Sequence, residues 1–163
     1  MPGQRSRIIA IDPGYDRLGI AVFAGKDLEH SECFTPTSDN FTERLLEIRT
    51  HLRELIKKFN PEILAIEKLF FSVNKKTALK VAEARGVILM IGAEHNLSIY
   101  EYSPQEIKIA VTGHGNADKA AVAVMVKRLV VLDEKKRIDD ELDAIAVGIT
   151  HQSSVVSKIN GLK

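Results

Sequence analysis

The stretch Ile8-Ile9-Ala10-Ile11-Asp12-Pro13-Gly14 decides how the rest of the chain is interpreted. Its run of apolar residues predicts a buried strand, and the Pro-Gly pair predicts that this strand ends at Asp12. Open α/β sheets place their ligands at the carboxyl ends of strands. The Asp12 carboxylate is therefore a candidate functional group, and we expect other reactive side chains to gather near it.

The composition fits one folded domain. The chain has 163 residues, of which 45% are hydrophobic, and its formal net charge is +1. This composition excludes an intrinsically disordered protein. Because the net charge is close to zero, any basic surface must come from a local cluster of cations. The single cysteine, Cys33, excludes an internal disulfide and a Cys-based zinc site. We expect it to be buried and inert.

No apolar run approaches the roughly 20 residues of a transmembrane helix. The segment Met1–Arg7 is polar and lacks the apolar region of a signal peptide. The sequence therefore predicts a cytoplasmic protein that does not contact a membrane.

The first part of the chain predicts an antiparallel meander of three strands, a helix and a fourth strand. The helix begins after Asn40, with Glu43 as the capping-box partner. Because a helical crossover joins them, the fourth strand should lie parallel to the first, which places Glu67 at the same sheet edge as Asp12. The four strands are predicted at 7–11, 18–24, 28–34 and 63–67.

The helix predicted at 75–94 is apolar on nearly all sides, so it should be buried on all sides. Either a partner subunit covers its second face, or the helix lies at the centre of the monomer. A short edge strand is expected at 98–102. A short helix is then expected from Pro104 to about Thr112. A second helix follows the segment Gly113-His114-Gly115-Asn116 and ends at Leu132. The last helix is expected from Asp139 to about His151, before a tail that frays. This order predicts the α/β class, with a five-stranded mixed sheet flanked by helices, as in the ribonuclease-H-like fold.

Acidic residues form the candidate site. Asp140 and Asp143 share a helix face, and the small residues that follow allow this helix to pack closely on the sheet beside Asp12 and Glu67. Grouped carboxylates repel one another unless cations are present, and ligand sets made only of oxygen favour Mg²⁺ or Mn²⁺. Two such ions can activate a water molecule and stabilise the leaving oxygen at a phosphate, so the acidic site predicts phosphodiester hydrolysis. Each acid also has an ordinary interpretation, as a turn residue or, for Asp139 and Asp140, as an acid favoured by the helix dipole.

These motifs resemble the RuvC family of Holliday-junction resolvases. The resemblance spans nearly the whole chain, and it is the ordered set of motifs that makes it specific. The matching motifs are Ile11-Asp12-Pro13-Gly14 with Gly19, Ala65-Ile66-Glu67-Lys68-Leu69-Phe70, Ala78-Leu79-Lys80, Ala84-Arg85-Gly86, Tyr102-Ser103-Pro104 with Lys108, Gly113-His114-Gly115-Asn116-Ala117-Asp118-Lys119 and Asp140-Glu141-Leu142-Asp143-Ala144-Ile145-Ala146.

The resemblance implies a ribonuclease-H-like nuclease domain at 1–153 with a frayed tail at 154–163. It implies a homodimer, joined largely by the helix at 75–94, that cuts four-way DNA junctions symmetrically and works with the RuvA–RuvB branch-migration complex. The implied cofactor is Mg²⁺, replaceable by Mn²⁺, at two ions per site. The implied metal ligands are Asp12, Glu67, Asp140 and Asp143, with Asp139 as a rival in register to Asp140.

The resemblance also implies DNA contacts. Lys108 and Lys119 match lysines near the scissile phosphate, and Phe70 matches an aromatic residue that stacks at the junction centre. Phe71 is expected to be a core residue, although the two could be exchanged. The expected DNA-binding residues are Phe70, Lys75, Lys76, Lys80, Arg85, Lys108 and Lys119.

Two alternatives to a RuvC-like resolvase stay open at this point, and a third is rejected. One is a YqgF-like nuclease of the same fold that acts on RNA, and another is a junction-binding protein without catalytic activity. An actin-like ATPase also carries Asp-x-Gly after a strand, but it needs a duplicated domain for which 163 residues leave no room.

Overall fold

The computed structural model describes residues 6–69 and 75–159, and the side chains of 6–69 and 77–155. Its centre is a five-stranded mixed sheet, as predicted, and the strand order is β3-β2-β1-β4-β5. The strands are β1 (Arg7–Asp12), β2 (Leu18–Ala24), β3 (Asp27–Phe34), β4 (Ile63–Glu67) and β5 (Ser98–Tyr102).

Strand pairing brings the two predicted strand-end acids to one edge. β1 pairs antiparallel with β2 and parallel with β4, and Ile11 lies opposite Ile66. β4 pairs parallel with β5, which closes that side of the sheet. Asp12 and Glu67 each follow directly on these paired residues, so both emerge at the carboxyl edge of the parallel strands.

Within the described residues, five helices flank the sheet. Two differ in length from the sequence prediction. They are α1 (Phe41–Phe59), α2 (Lys75–Glu94), α3 (Pro104–Thr112), α4 (Lys119–Leu129) and α5 (Asp139–Ile159).

The first difference is at α4, which ends at Leu129 and not at Leu132, because Val130 is extended (φ −124°, ψ 137°) and buried in the core. The second is at α5, which continues past His151 to Ile159. Here Tyr102 supports the extra turns, since its hydroxyl lies 2.8 Å from His151 Nδ1 and 3.0 Å from Ser154 Oγ. The predicted boundary between domain and tail after residue 153 falls inside α5, so the helix continues across it.

The helix caps show how local sequence sets these bounds. Ser103 forms the full capping box with Glu106, with bonds of 3.2 and 2.7 Å. At α1 only half of the predicted box forms. The Asn40 side chain accepts from the Glu43 N–H, while the Glu43 carboxylate accepts from Ser38 Oγ at 2.5 Å.

Both faces of the sheet are buried. Ile9 and Ile11 face the layer of α1 and α2, while Ile8 and Ala10 face the layer of α3, α4 and α5. Helix α5 packs directly on the sheet, and its residues Ala144 to Val147 are fully buried. The small residues at the start of α5 allow this close contact, as the sequence predicted.

Helix α2 has one face on the sheet and one face open. Ala84, Ile88 and Ile91 are buried, whereas Leu79 is 66% exposed and Met90 is 46% exposed. The residues that the structure describes therefore leave one face of α2 uncovered, which disagrees with the alternative in which the monomer encloses this helix. Across the described ranges, no helix has both the length and the apolar character needed to cross a membrane.

Candidate active site

A pocket of about 300 Å³ opens at the carboxyl edge of β1 and β4. It brings together all four acids and both lysines that the sequence analysis placed near the reaction. The lining residues are Asp12, Glu67, Pro104, Ile107, Lys108, Lys119, Val122, Asp140 and Asp143.

Three separate elements supply the four acids. Asp12 ends β1, Glu67 ends β4, and Asp140 and Asp143 lie in the first turns of α5. Gly19, which pairs with Asp12 across the sheet, allows α5 to come this close. A Cβ added at Gly19 would lie 1.9 Å from the carbonyl oxygen of Asp140, so any larger residue would push Asp140 away from the sheet.

The pKa values of three of these carboxylates are raised. Burial, followed by the charges of Glu67, Asp143 and Asp140, raises the pKa of Asp12 well above its usual value. Burial is also the main cause that raises the pKa values of Glu67 and Asp143. The pocket therefore resists holding its full negative charge, as expected for like charges that share a site.

Two cations offset part of this charge. Lys119 Nζ lies 3.4 Å from Asp143 Oδ2, and this carboxylate raises the pKa of Lys119. Arg17 Nε lies 3.1 Å from Asp140 Oδ2, although that buried oxygen accepts no well-oriented hydrogen bond. The sequence analysis did not identify Arg17, because nothing in its turn-rich surroundings shows that it faces α5.

On the opposite side of α5, Glu141 is 1% exposed. Its Oε1 accepts from Ser31 Oγ at 2.6 Å and lies 3.2 Å from both Lys135 Nζ and Arg137 Nε. We call these four residues the Glu141 cluster. The cluster ties the first turn of α5 to β3 and to the preceding loop. A signal was present in the sequence, since Arg137 and Glu141 have the i,i+4 spacing of a helical ion pair.

The predicted DNA contacts have different outcomes. Phe70 and Phe71 lie outside the described residues, as do the side chains of Lys75 and Lys76. Lys80 is exposed, with its Nζ 5.1 Å from the centre of the Tyr15 ring.

Two further residues differ from expectation. The Arg85 side chain is only 15% exposed and is engaged by Glu67 and Glu101, which does not favour a DNA contact. Cys33 is half-buried, where we expected full burial. Burial, followed by the charge of Asp140, raises the pKa of its thiol, which agrees with an inert group.

The donor set of the pocket suits a hard divalent cation. The side chains of its four acids offer only oxygen atoms, their mutual repulsion would fall on binding a cation, and Asp140 Oδ2 is buried without a hydrogen bond. In the part of the chain that the structure describes, however, no group of three His, Cys, Asp or Glu side chains has the arrangement needed to bind a metal ion. Side-chain adjustment would therefore accompany binding, because Asp143 and Asp140 are directed toward Lys119 and Arg17.

Comparison with known proteins agrees with this geometry. A family model described as Crossover junction endodeoxyribonuclease RuvC matches residues 8–151. The protein of that name from Moorella thermoacetica is 44% identical over 151 residues, which cover 90% of each chain. The one from Caldicellulosiruptor saccharolyticus is 40% identical over 151 residues, which cover 89% of this chain and 91% of the relative.

Solved structures give the same result. The structure of T. thermophilus RuvC in complex with a Holliday junction substrate has a TM-score of 0.84 and 34% identity, covering 92% of this chain and 94% of that one. The yeast mitochondrial Holliday junction resolvase Ydc2 has a TM-score of 0.69 at 15% identity, covering 97% and 83% of the two chains, so it shares the fold alone. The predicted ribonuclease-H-like fold is thus confirmed. With its family model, its relatives and the acidic edge of its sheet in agreement, the chain belongs to the RuvC family of crossover junction endodeoxyribonucleases.

Proposed function

We propose that this protein resolves Holliday junctions by hydrolysing phosphodiester bonds at symmetric positions, in recombination and repair of DNA. The observation that carries this proposal is the pocket where β1, β4 and α5 bring four carboxylates together with Lys108 and Lys119. Membership of a family of endodeoxyribonucleases supports it, as does the similarity to a relative solved with a Holliday junction substrate.

Asp12, Glu67, Asp140 and Asp143 would hold two Mg²⁺ ions, for which Mn²⁺ can substitute. When bound, such ions activate a water molecule and stabilise the leaving oxygen of an in-line displacement. These carboxylates, supplied by two sheet strands and the start of α5, would hold the ions at this edge of the sheet. They also leave the pocket negatively charged in the absence of metal, which favours capture of cations.

Lys108 and Lys119 supply positive charge at the wall of the same pocket. Their role would be to bind the scissile phosphate, and Lys119 can move to it, because its side chain is 80% exposed and its contact with Asp143 is long. A flexible ammonium suits a phosphate oxygen as a point charge. We retain Lys80 as a DNA contact, together with Lys75 and Lys76 from the sequence analysis, and Phe70 as the aromatic residue that stacks at the junction centre.

A homodimer would supply the second site that symmetric cutting needs. The open face of α2 supports it, since Leu79 and Met90 are exposed and a Cβ added at Gly86 would meet no atom within 4 Å. The dimer would act in the cytoplasm, with the RuvA–RuvB complex as partner. Met90→Glu should convert the dimer to a monomer in sedimentation analysis, and a variant that stays dimeric would rule out this interface.

The decisive test is cleavage of a labelled four-way DNA junction in Mg²⁺. We expect paired, symmetric nicks from the native protein and none from Asp12→Asn, which should still bind the junction. A structured RNA in the same assay separates the YqgF-like alternative. Cleavage of RNA but not of the junction, or junction cleavage that Asp12→Asn leaves unchanged, would show that the proposed function is wrong. Binding by the native protein without cleavage would favour the non-catalytic alternative.

A further inference from the structure

We infer that Arg85 is a positioning residue, which holds Glu67 at the active site by clamping the peptide bond between Glu67 and Lys68. The inference rests on the proposed function, because it assigns a purpose to Arg85 only if Glu67 is a metal ligand. Arg85 lies on α2, outside the pocket, and it does not line the pocket wall.

The guanidinium of Arg85 makes two contacts with the sheet. Its Nε donates to the carbonyl oxygen of Glu67 at 3.2 Å, and its Nη2 contacts the Glu101 carboxylate on the neighbouring strand β5. The side chain is only 15% exposed. A planar guanidinium with several donors suits two acceptors on adjacent strands, which a single ammonium does less well.

The other half of the same peptide bond is also held. The Lys68 N–H donates to the carbonyl oxygen of Tyr102 on β5 at 2.8 Å. The Glu67–Lys68 peptide therefore has its oxygen bound by α2 and its N–H bound by β5. Both of its polar groups are satisfied at the point where β4 ends, and this fixes the direction in which the Glu67 side chain leaves the backbone.

Glu67 needs a fixed backbone because its carboxylate lines a pocket that also contains the carboxylates of Asp12 and Asp143. Carboxylates that share a site repel one another when ionised, so a mobile backbone would let Glu67 move outward. Arg85 resists such movement through the carbonyl group, so it leaves the carboxylate oxygens free for metal, unlike the direct contacts of Arg17 and Lys119 with Asp140 and Asp143.

The test compares three full-length variants by calorimetric titration with Mn²⁺ in the absence of DNA. Arg85→Gln removes both contacts, whereas Glu101→Gln removes only the charge of the exposed partner and leaves the bond to the Glu67 carbonyl. Arg7→Gln is the matched control. It removes an arginine–glutamate contact of 3.1 Å, with Glu29, at the opposite end of the sheet.

We expect Arg85→Gln to weaken Mn²⁺ binding about 10- to 100-fold, the usual range for groups that orient metal ligands. Glu101→Gln should weaken it by less than about threefold, and Arg7→Gln should leave it unchanged. In junction cleavage, Arg85→Gln should need more Mg²⁺ for half-maximal rate and regain much of its kcat at saturating Mg²⁺. A role only in stability would instead lower the fraction of folded protein without changing this metal dependence.

If Arg85→Gln fails to fold, Arg85→Lys replaces it, and because a single ammonium serves the two acceptors less well, we expect a smaller but measurable loss of Mn²⁺ affinity. Mn²⁺ binding by the folded Arg85 variant that equals that of the native protein would overturn the inference. Absence of Mn²⁺ binding to the native protein and to Arg7→Gln would contradict the proposed metal site itself, and the inference about Arg85 with it.

Discussion

The first turns of α5 carry carboxylates on two faces, and the surroundings of these carboxylates differ. On one face, Asp140 and Asp143 meet other carboxylates in the pocket, and burial raises the pKa of Asp143. On the other face, Glu141 is almost fully buried, yet Lys135 and Arg137 lie at 3.2 Å and Ser31 donates at 2.6 Å. One face keeps an unbalanced charge, and the other neutralises its charge completely.

This difference separates a functional acid from a structural one. A buried carboxylate is tolerated when cations and donors surround it, and Glu141 meets that condition without any ligand. Among the described side chains, the one ion pair of Asp143 is its 3.4 Å contact with Lys119, whose side chain is largely exposed. The unbalanced face is therefore the one that has electrostatic free energy to gain from a divalent cation.

The largest effect should come from Asp143→Asn, which alters the unbalanced face. Because metal ions contribute several kcal/mol to the transition state and each 1.4 kcal/mol or so is tenfold in rate, junction cleavage in Mg²⁺ should fall at least about a thousandfold. The free energy of unfolding, measured in urea without metal, should not fall. Substantial cleavage by the folded variant would show that Asp143 is not a ligand.

Glu141→Ala should have the opposite signature. It leaves Lys135 and Arg137 without their shared carboxylate, so the free energy of unfolding should fall by about 3 kcal/mol. Glu134→Gln, at an exposed position in the same loop, is the control and should change stability by less than about 0.5 kcal/mol. Equal stability of the two variants would mean that the Glu141 cluster does not fix the start of α5.

Asp12→Asn should stabilise the metal-free protein, since it removes one of the charges that repel one another in the pocket. We expect a gain of about 1 kcal/mol in the free energy of unfolding, as is common when a strained functional site is relaxed. Addition of Mg²⁺ should stabilise the native protein but have little effect on the variant. A variant less stable than the native protein would indicate that Asp12 is mainly structural.

The pH dependence of stability should show both kinds of acid. In the metal-free protein, the raised pKa values of Asp12, Glu67 and Asp143 destabilise the fold at neutral pH. This penalty should disappear as the pH falls through those values toward about 4, where the unfolded groups also titrate. Asp12→Asn should weaken this rise in stability, and a native profile without any rise would refute the repulsion.

Glu32 should affect the free energy of unfolding at lower pH, and with the opposite sign. Burial opposes its ionisation, but contacts with His30 and His51 lower its pKa from 4.5 to about 2. Its contribution is therefore present above pH 4.5 and is lost as the pH falls from there to about 2. Urea unfolding across this window should show a smaller loss in Glu32→Gln, and identical slopes would contradict the assignment.

The strands and the acids were accessible to sequence analysis because their signals are local. The apolar run before Asp12 and the one before Glu67 each predict a strand that ends in an acid, and the spacing of Asp140 and Asp143 predicts a shared face. The contacts of Arg17 and Arg85 depend on which elements meet in three dimensions, so no local pattern defines them. In the Glu141 cluster, only the i,i+4 spacing of Arg137 and Glu141 is visible in the sequence.

The extent of α5 was missed for a similar reason. Its last turns have weak periodicity, and the bonds from Tyr102 that support them come from a distant strand. The open face of α2 shows the same limit from the other direction. Its all-round apolar pattern predicted two buried faces, but only the fold shows which face the chain itself covers.

A crystal of the protein soaked in Mn²⁺ tests the central claim most directly, because the anomalous signal locates the ions. We predict density between Asp12, Glu67, Asp140 and Asp143, with Asp140 and Asp143 turned away from Arg17 and Lys119. A soaked crystal with no manganese in this pocket, or with manganese bound elsewhere while these acids keep their pairwise contacts, would contradict the assignment of these acids as the metal centre.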